Sequence, residues 1–328
     1  MLILSRADLE RLLTPREVVD ALEGAFALSA AGRADVQPRT ALAVGSDGVL
    51  LVMPAALRDE TGGGQDLGSK LVSVYPGNRA RGHPTLYATY ILMDGGTGRP
   101  LALLEGTYLT ALRTGATSAL AARFLARHDV RHVVCFGAGV QAAFQLTCLA
   151  AVLPIEHVSV VGGDPARARS FVDGMRHRLG VSVDLAGDVS TAVRAADVVT
   201  CATTSSQPVV FGSDLRPGTH LDLVGAFRAT DREADTEAIR RARVVVDTYA
   251  GALEEAGDVL IPMKEGAISR DHVTAELAEI VTGARRGRTR EDEITVFKSV
   301  GWAQEDLATA RLAYNRAVAQ KIGIEVTL

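Results

Sequence analysis

The chain has 328 residues, enough for two domains of ordinary size, and 47% of them are hydrophobic. With 35 Lys and Arg against 39 Asp and Glu, the net charge is −4, so no nucleic-acid partner is indicated. Cys135, Cys148 and Cys201 form neither a metal-binding nor a disulfide pattern, and neither a signal peptide nor a membrane-spanning run is apparent, which together predict a cytoplasmic protein without metal or membrane partners.

The first third of the chain begins with a helix and continues as strands. Thr14 and Pro15 are typical of a helix start, and Gly32 is expected to stop that helix. Turn signals separate five strand-like segments between residues 36 and 104, and the stretch 61–68 is predicted to be a mobile loop. These segments predict one mostly antiparallel sheet; they are 40–44, 49–53, 69–75, 85–93 and 100–105. A helix over 107–125 follows.

From residue 131 strands and helices alternate, a pattern typical of a parallel sheet with helices on both faces. The strands are predicted at 131–136, 157–161, 181–185, 197–202, 219–224 and 243–247, and the helices at 165–179, 190–195 and 233–242. The tail contains a strand at 294–298 and a helix at 302–323, which we expect to pack back on the first domain. The predicted fold is α/β, with a doubly wound Rossmann sheet in residues 126–301 and an α+β domain formed by residues 1–125 and 302–328.

A glycine pair follows the apolar run 133–136. Gly137 permits a tight turn, Gly139 lets the backbone approach a pyrophosphate, and Ala142 takes the third position of the motif. The N-terminus of the helix that follows supplies free N–H donors to the anion. The sequence therefore predicts a dinucleotide cofactor bound at this loop.

The end of the second Rossmann strand bears on which dinucleotide is bound. Gly162 occupies the position where an acidic residue would bind the ribose 2′-hydroxyl and favour NADH, and Asp164 comes two residues later. Arg167 follows the turn, where it is available to a 2′-phosphate. The pattern weakly favours NADPH over NADH, with a pocket that accepts both as the alternative. Ala202 and Thr203, after the strand at 197–202, are small residues suited to pass close to the ribose.

Three cations lie within or beside apolar segments of the first domain. Arg39, Lys70 and Arg113 are suited to bind a carboxylate, Arg by a bidentate fork. For any one of them, a surface ion pair is the competing interpretation. Arg113 stands out because it lies in the helix that leads into the cofactor domain.

Five motifs occur in the order of a known family. With them, the chain resembles the ornithine cyclodeaminase/μ-crystallin family over essentially its full length. The motifs are Lys70-Leu71-Val72 with Pro76-Gly77-Asn78, Pro84-Thr85, the stretch Leu109-Thr110-Ala111-Leu112-Arg113-Thr114-Gly115-Ala116-Thr117-Ser118, the glycine loop Gly137-Ala138-Gly139-Val140-Gln141-Ala142, and Phe297-Lys298-Ser299-Val300-Gly301.

The resemblance implies a substrate and dimerisation domain closed by the C-terminal helix, a Rossmann domain, and homodimers formed through the first domain's sheet. It implies that Arg39, Lys70 and Arg113 bind the substrate carboxylate, with Lys70 and Arg113 catalytic and Met53 also at the substrate. Together with the motifs it gives these cofactor-binding residues: Thr114, Gly137, Gly139, Val140, Gln141, Gly162, Gly163, Asp164, Arg167, Ala202, Thr203, Val224, Gly225, Ser299, Val300 and Gly301.

One position discriminates among the chemistries of the family. Cyclodeaminases carry an aspartate shortly after the Val-Gly pair that is Val224-Gly225 here, and Phe227 occupies that position. A phenyl ring neither accepts a proton nor orients water, so cyclodeamination is disfavoured. The segment resembles the branch that reduces small anionic cyclic ketimines, Δ1-pyrroline-2-carboxylate and Δ1-piperideine-2-carboxylate, to L-proline and L-pipecolate, with Phe227 keeping water from the substrate. The alternatives are an alanine-dehydrogenase-type enzyme, an ornithine cyclodeaminase, and a non-catalytic dinucleotide-binding protein like the lens crystallins.

Overall fold

The structure is a computed structural model that describes residues 1–327. Its internal contacts divide the chain into two units, Met1–Arg113 with Trp302–Leu328, and Thr114–Gly301. The division falls inside helix α3 (Gly106–Leu125), twelve residues before the boundary that the sequence suggested at its end. In the part of the chain that the structure describes, no helix is both long and apolar enough to cross a membrane.

The first unit is built on an eight-stranded sheet in the order β16-β1-β7-β6-β5-β4-β2, with β3 also paired to β4. All described neighbours are antiparallel except β1 and β7. The strands are β1 (Leu2–Leu4), β2 (Ala34–Val36), β3 (Thr40–Val44), β4 (Gly48–Arg58), β5 (Gly64–Val74), β6 (Leu86–Asp94), β7 (Pro100–Glu105) and β16 (Ile324–Glu325). The helices of this unit, besides the start of α3, are α1 (Arg6–Leu12), α2 (Pro15–Ala30) and α11 (Ala303–Gln320).

Alternation along the long strands β4, β5 and β6 gives the sheet one buried face and one open face. Met53, Lys70 and Tyr90 are register partners on neighbouring strands and are all buried. Helices α11 and α2 pack together, and α11 lies against β4, β5 and β6. The opposite face exposes the large apolar side chains of Leu71 and Tyr87.

The second unit contains eight strands and seven complete helices among the described residues. Its strands are β8 (His132–Phe136), β9 (His157–Val161), β10 (Ser182–Leu185), β11 (Val198–Cys201), β12 (His220–Leu223), β13 (Arg243–Val246), β14 (Val273–Glu276) and β15 (Thr295–Lys298). Its helices are α4 (Val140–Ala150), α5 (Pro165–Leu179), α6 (Val189–Ala195), α7 (Thr236–Arg241), α8 (Tyr249–Glu255), α9 (Gly257–Lys264) and α10 (Leu277–Val281).

These strands form one parallel sheet in the order β10-β9-β8-β11-β12-β15-β13-β14. The order reverses at β8, the strand that precedes the glycine loop, as in a doubly wound dinucleotide-binding fold. Alternate residues of β8 enter two separate cores: Val133 and Cys135 pack with α4 and α5, whereas Val134 and Phe136 face the other layer. Both faces of the sheet are therefore covered, and the predicted α/β fold class is confirmed.

One local prediction is wrong, and two features of the fold were not predicted from the sequence. Residues 64–68 belong to strand β5, so the predicted loop at 61–68 is mostly wrong: cross-strand pairing with β4 and β6 overrides the local glycine signal. The segment 249–281, left without elements by the sequence pattern, contains α8, α9, β14 and α10. The last strand of this unit in the chain, β15, lies between β12 and β13 in the interior of the sheet.

Candidate functional site

Two of the three predicted carboxylate-binding cations lie together in the first unit. The Lys70 Nζ donates to both oxygens of Asp306, at 3.0 and 2.8 Å. Arg113 donates from Nε to the same carboxylate at 3.0 Å and from Nη1 to Glu305 Oε2 at 2.6 Å. Lys70 is 1% and Arg113 4% exposed, so the surface ion pair considered from the sequence is not what these side chains form.

Chain topology explains why these groups meet. Lys70 points from the buried face of β5, and α11 covers that face with its first turn carrying Glu305 and Asp306. Both carboxylates are fully buried, where a lone charge would be strongly disfavoured. Two cations and two anions in contact make the cluster formally neutral, so each charge is compensated within the unit.

Burial perturbs the protonation of this cluster. Desolvation and the neighbouring Arg113 guanidinium lower the pKa of Lys70 to about 8, although Asp306 opposes them. Desolvation lowers the pKa of Arg113 as well, but Asp306 and Glu305 outweigh it and the pKa is raised. Arg113 thus stays charged, whereas Lys70 can exchange a proton near neutral pH.

The remaining predicted substrate residues of this unit lie on neighbouring strands. Met53 is the register partner of Lys70 on β4 and is buried on the same face. Arg39 is half-buried and lies immediately before β3. Tyr90, the register partner of Lys70 on β6, is fully buried, and burial raises the pKa of its hydroxyl well above the usual range.

The glycine loop of the second unit has the geometry that the motif requires. Gly137 has φ 114°, and a Cβ there would lie 2.6 Å from the carbonyl oxygen of Ala202. Only glycine fits both constraints. Gly139 is the N-cap of α4, with Val140 exposed and Gln141 half-buried in its first turn. The loop therefore presents bare backbone and a helix N-terminus, a cradle suited to a pyrophosphate.

The end of β9 lacks an acidic side chain, as predicted from Gly162. A Cβ on Gly162 would lie 2.8 Å from that of Ala168, while Gly163 has open space around it. The Asp164 carboxylate caps α5, accepting from the backbone N–H of Ala166 and Arg167 at 2.9 and 3.1 Å. The Arg167 side chain turns back to donate from Nε to the Ala138 carbonyl at 3.1 Å, over the glycine loop.

A buried carboxylate ties together the chain segments that follow β11 and β12. Glu233 Oε1 accepts from the N–H and hydroxyl of Thr203 at 2.7 and 2.8 Å. Its Oε2 accepts from the N–H groups of Gly225 and Ala226 at 2.7 and 3.3 Å. Burial raises the pKa of Glu233, and the charge of Lys298 and the hydrogen bonds from Thr203 oppose the shift. The predicted residues Thr203 and Gly225 are therefore brought together by a side chain that the sequence did not single out.

A second buried carboxylate, that of Asp247, binds the chain segment that follows β15. Asp247 Oδ2 accepts from the Ser299 hydroxyl and from the N–H groups of Val300 and Gly301, each at 2.8 Å. Asp247 is fully buried at the end of β13. Three predicted cofactor residues thus share one acceptor, which fixes the backbone of this segment.

Three other predicted residues remain to be placed. Val224 is half-buried at the end of β12, and Thr114 is half-buried in α3. Phe227 is 42% exposed, with the Arg228 guanidinium 5.8 Å from its ring centroid. The ring of Phe227 is therefore not buried within the second unit, and its predicted role of keeping water from the substrate stays a prediction.

The sequence model of the ornithine cyclodeaminase/mu-crystallin family matches residues 1–321. The chain belongs to this family. It is 35% identical over 328 residues to the Δ1-pyrroline-2-carboxylate reductase of Bacillus cereus, covering 99% of each protein.

Solved structures of family members superimpose closely on the chain. One is the Δ1-pyrroline-2-carboxylate reductase of Thermococcus litoralis in complex with NADH and L-proline. It is 43% identical to this chain, with a TM-score of 0.95, and the superposition covers 99% of this chain and 100% of that chain. Another is an archaeal alanine dehydrogenase dimer with bound NAD. It is 34% identical to this chain, with a TM-score of 0.92, and the superposition covers 100% of this chain and 99% of that chain.

Sequence reasoning missed the buried acidic partners of this family member's site. Asp306 falls on the apolar face of α11, three residues after Ala303 and four before Ala310, so its position at helical spacing was a usable signal. Lys298 is likewise a charge inside an apolar strand, and its Nζ lies 2.9 Å from Asp258. Glu233 and Asp247 follow no such pattern, because their partners are backbone groups of distant segments.

Proposed function

We propose that this chain is an NAD(P)H-dependent reductase of cyclic ketimines, converting Δ1-pyrroline-2-carboxylate to L-proline and Δ1-piperideine-2-carboxylate to L-pipecolate. The observation that carries the proposal is the buried pair of cations, Lys70 and Arg113, on one carboxylate. It occurs in a chain that is 43% identical to a reductase whose structure contains NADH and L-proline.

The residues of the second unit fit a dinucleotide. A Cβ at Gly137 would meet the Ala202 carbonyl, and Gly139 leaves the backbone bare at the start of α4. The N-terminus of that helix offers N–H donors to a pyrophosphate. Thr203, Gly225 and Ser299 lie at the carboxyl ends of the strands beyond β8, where this fold binds the remainder of a dinucleotide. When bound, the cofactor supplies the hydride that reduces the imine carbon.

The cluster in the first unit matches the charges of the proposed substrate. A protonated cyclic ketimine carries a carboxylate and a cationic nitrogen, and the cluster contains both cations and carboxylates. Lys70 and Arg113 bind the substrate carboxylate, assisted by Arg39, and Met53 packs beside Lys70. Where the imine arrives unprotonated, Lys70, with a pKa of about 8, is also the proposed donor of the proton that makes its nitrogen cationic.

The proposal is tested by mixing the purified protein with either imine and either NADH or NADPH and following cofactor absorbance. Oxidation of the cofactor with formation of L-proline or L-pipecolate is expected. No oxidation with any of the four pairs between about pH 6 and pH 9 would reject the reaction, because that interval spans both protonation states of Lys70.

A second candidate is an amino-acid dehydrogenase of the alanine type, favoured by the 34% identity to the archaeal alanine dehydrogenase. Pyruvate and ammonia would then replace the cyclic imine. Phe227 argues against cyclodeamination, since no carboxylate stands at its position. Measuring pyruvate amination and imine reduction on one preparation separates the two candidates by their relative kcat/KM.

For the cofactor, we propose a modest preference for NADPH. No carboxylate ends β9 to repel a 2′-phosphate, Asp164 is engaged in capping α5, and Arg167 lies over the glycine loop. Replacement of Arg167 by Ala should lower kcat/KM for NADPH more than for NADH. Equal losses with both cofactors would remove Arg167 from cofactor selection.

We also propose a homodimer formed through the open sheet face of the first unit. Leu42, Leu71 and Tyr87 are 59%, 45% and 49% exposed there. Exposed apolar side chains gathered on one sheet face are typical of an interface. Sedimentation should show a dimer for the wild type and a monomer for Leu71→Glu, whereas two monomeric proteins would contradict the proposal.

A further inference from the structure

The strand order locates the two halves of a bound dinucleotide within the second unit. The glycine loop follows β8, the strand at which the order reverses; β9 and β10 lie on one side, and β11, β12 and β15 on the other. In such sheets the adenosine half extends over the first side and the other nucleotide half over the second. The nicotinamide half of the cofactor in the proposed function therefore faces the segments that follow β11 and β12.

Glu233 lies between those two segments. Its two oxygens receive four donors: the N–H and hydroxyl of Thr203 on one oxygen, and the N–H groups of Gly225 and Ala226 on the other. These donors emerge where the two strands end and the sheet no longer supplies carbonyl acceptors. Because a buried N–H without an acceptor is costly, one side chain satisfies both segments and joins them.

The two segments are in direct backbone contact at this point. A Cβ on Gly225 would lie 2.3 Å from both the Thr203 carbonyl oxygen and Glu233 Oε1. The segments therefore pack as closely as backbone permits, and the hydrogen bonds to Glu233 hold them in that relative position. A shift of Glu233 would displace both together.

Glu233 is itself fixed by a buried network. Its N–H donates to Asp258 Oδ1 at 2.8 Å, and the neighbouring Ala234 N–H donates to the same oxygen at 3.0 Å. The other oxygen of Asp258 lies 2.9 Å from Lys298 Nζ, which also donates to the Ala226 carbonyl. All three charged side chains are fully buried, so their charges are compensated by one another and by the backbone groups they contact.

We propose that Glu233 is a positioning residue that sets the two backbone segments facing the nicotinamide half of the cofactor. This inference rests on the proposed function for the identity of the cofactor. Glu233 acts through Thr203 and Gly225, and hydride transfer is sensitive to placement because small misalignments of the reacting atoms cost large factors in rate.

The test is Glu233→Gln, which keeps the shape of the side chain but presents an amide NH2 to one set of backbone N–H donors. Two ligands are titrated by calorimetry: the dinucleotide that the wild type binds more tightly, NADH or NADPH, and the matching fragment without nicotinamide, ADP-ribose or its 2′-phosphate. The dinucleotide should bind roughly 10- to 100-fold more weakly, because the displaced segments no longer fit its nicotinamide half, and the fragment should stay within about twofold.

Two further variants frame the result. Glu233→Asp keeps the charge with a shorter reach, so it should weaken dinucleotide binding less than Glu233→Gln does, and it carries the test if the glutamine variant does not fold. Asp222→Asn is the matched control. Like Glu233, Asp222 is a buried carboxyl, but it lies within β12 and its side chain accepts from the Thr200 hydroxyl, not from the segments that follow β11 and β12. Both ligands should bind to it as to the wild type.

The outcomes separate this inference from the proposed function. Equal weakening of dinucleotide and fragment, or no weakening of either, would overturn the positioning role even if the wild type reduces imines. Selective loss of dinucleotide affinity would support that role even if no imine is reduced. A wild type that binds neither dinucleotide would overturn both.

Discussion

Replacing Arg113 by Met tests the buried cation pair in the first unit. Methionine has an unbranched, apolar side chain of similar length, and it lacks the guanidinium that contacts Glu305 and Asp306. The four-membered cluster then changes from neutral to a net charge of −1, with Lys70 as the one cation left within it. An anionic substrate would meet a negative cluster instead of a balanced one.

The structure sets the size of two effects. Removing one partner of a buried ion pair costs about 3–5 kcal/mol in the free energy of unfolding. Losing a buried charge-assisted contact to the substrate costs roughly 2–4 kcal/mol, so kcat/KM for the imine should fall ~30- to 1000-fold. Desolvation and the charge of Arg113 together lower the pKa of Lys70 from its usual value to about 8, so removal of Arg113 raises that pKa.

The pH profile of kcat/KM distinguishes a role at the substrate from loss of folded protein. If protonated Lys70 binds the carboxylate, kcat/KM falls as pH rises through about 8, and this alkaline limb should move to higher pH in Arg113→Met. Thermal melts monitor stability in parallel. Arg316→Met is the control, because its pair with Glu17 is partly exposed and is worth at most about 1 kcal/mol.

Two results would refute the reasoning. A decrease in kcat/KM of less than about threefold in folded Arg113→Met would show that the guanidinium does not bind the substrate. An alkaline limb that stays in place or moves to lower pH would show that Lys70 is not the group responsible for it.

Other predictions follow from single residues of the second unit. Gly137→Ala should weaken dinucleotide binding at least ~10-fold, because the new Cβ would meet the Ala202 carbonyl at a residue with positive φ. Gly174→Ala, where the Cβ would enter open space on α5, should bind the dinucleotide as the wild type does and have a slightly higher melting temperature. Burial raises the pKa of Asp222 to about 7, so its contribution to stability is lost as pH rises towards and through that value. Denaturant titrations should therefore show Asp222→Asn gaining stability relative to wild type as pH rises from about 4 to about 7, and a constant difference over that interval would contradict the shift. Asp247→Asn should weaken dinucleotide binding, because three donors after β15 share its Oδ2, and unchanged affinity in calorimetry would argue against that role.

Much of the fold was predictable because local pattern determines local structure. Helix α5 begins and ends at the predicted residues, since Asp164 caps it, Pro165 opens it and Gly180 closes it in a left-handed conformation. The glycine loop was predictable for the same reason: the turn needs φ values that glycine alone adopts readily. The order of motifs also identified the family.

The pairing of distant residues was decided only by tertiary structure. Lys70 and Asp306 are 236 positions apart and meet because α11 packs on the buried face of β5. Glu233 satisfies Thr203 and Gly225 because β11 and β12 are neighbours in the sheet. Periodicity states which face of an element is buried, but not which element covers it; that depends on strand order and register. A charged residue on an apolar face thus predicts that it has a buried partner of opposite charge, but only the tertiary structure shows which residue that partner is.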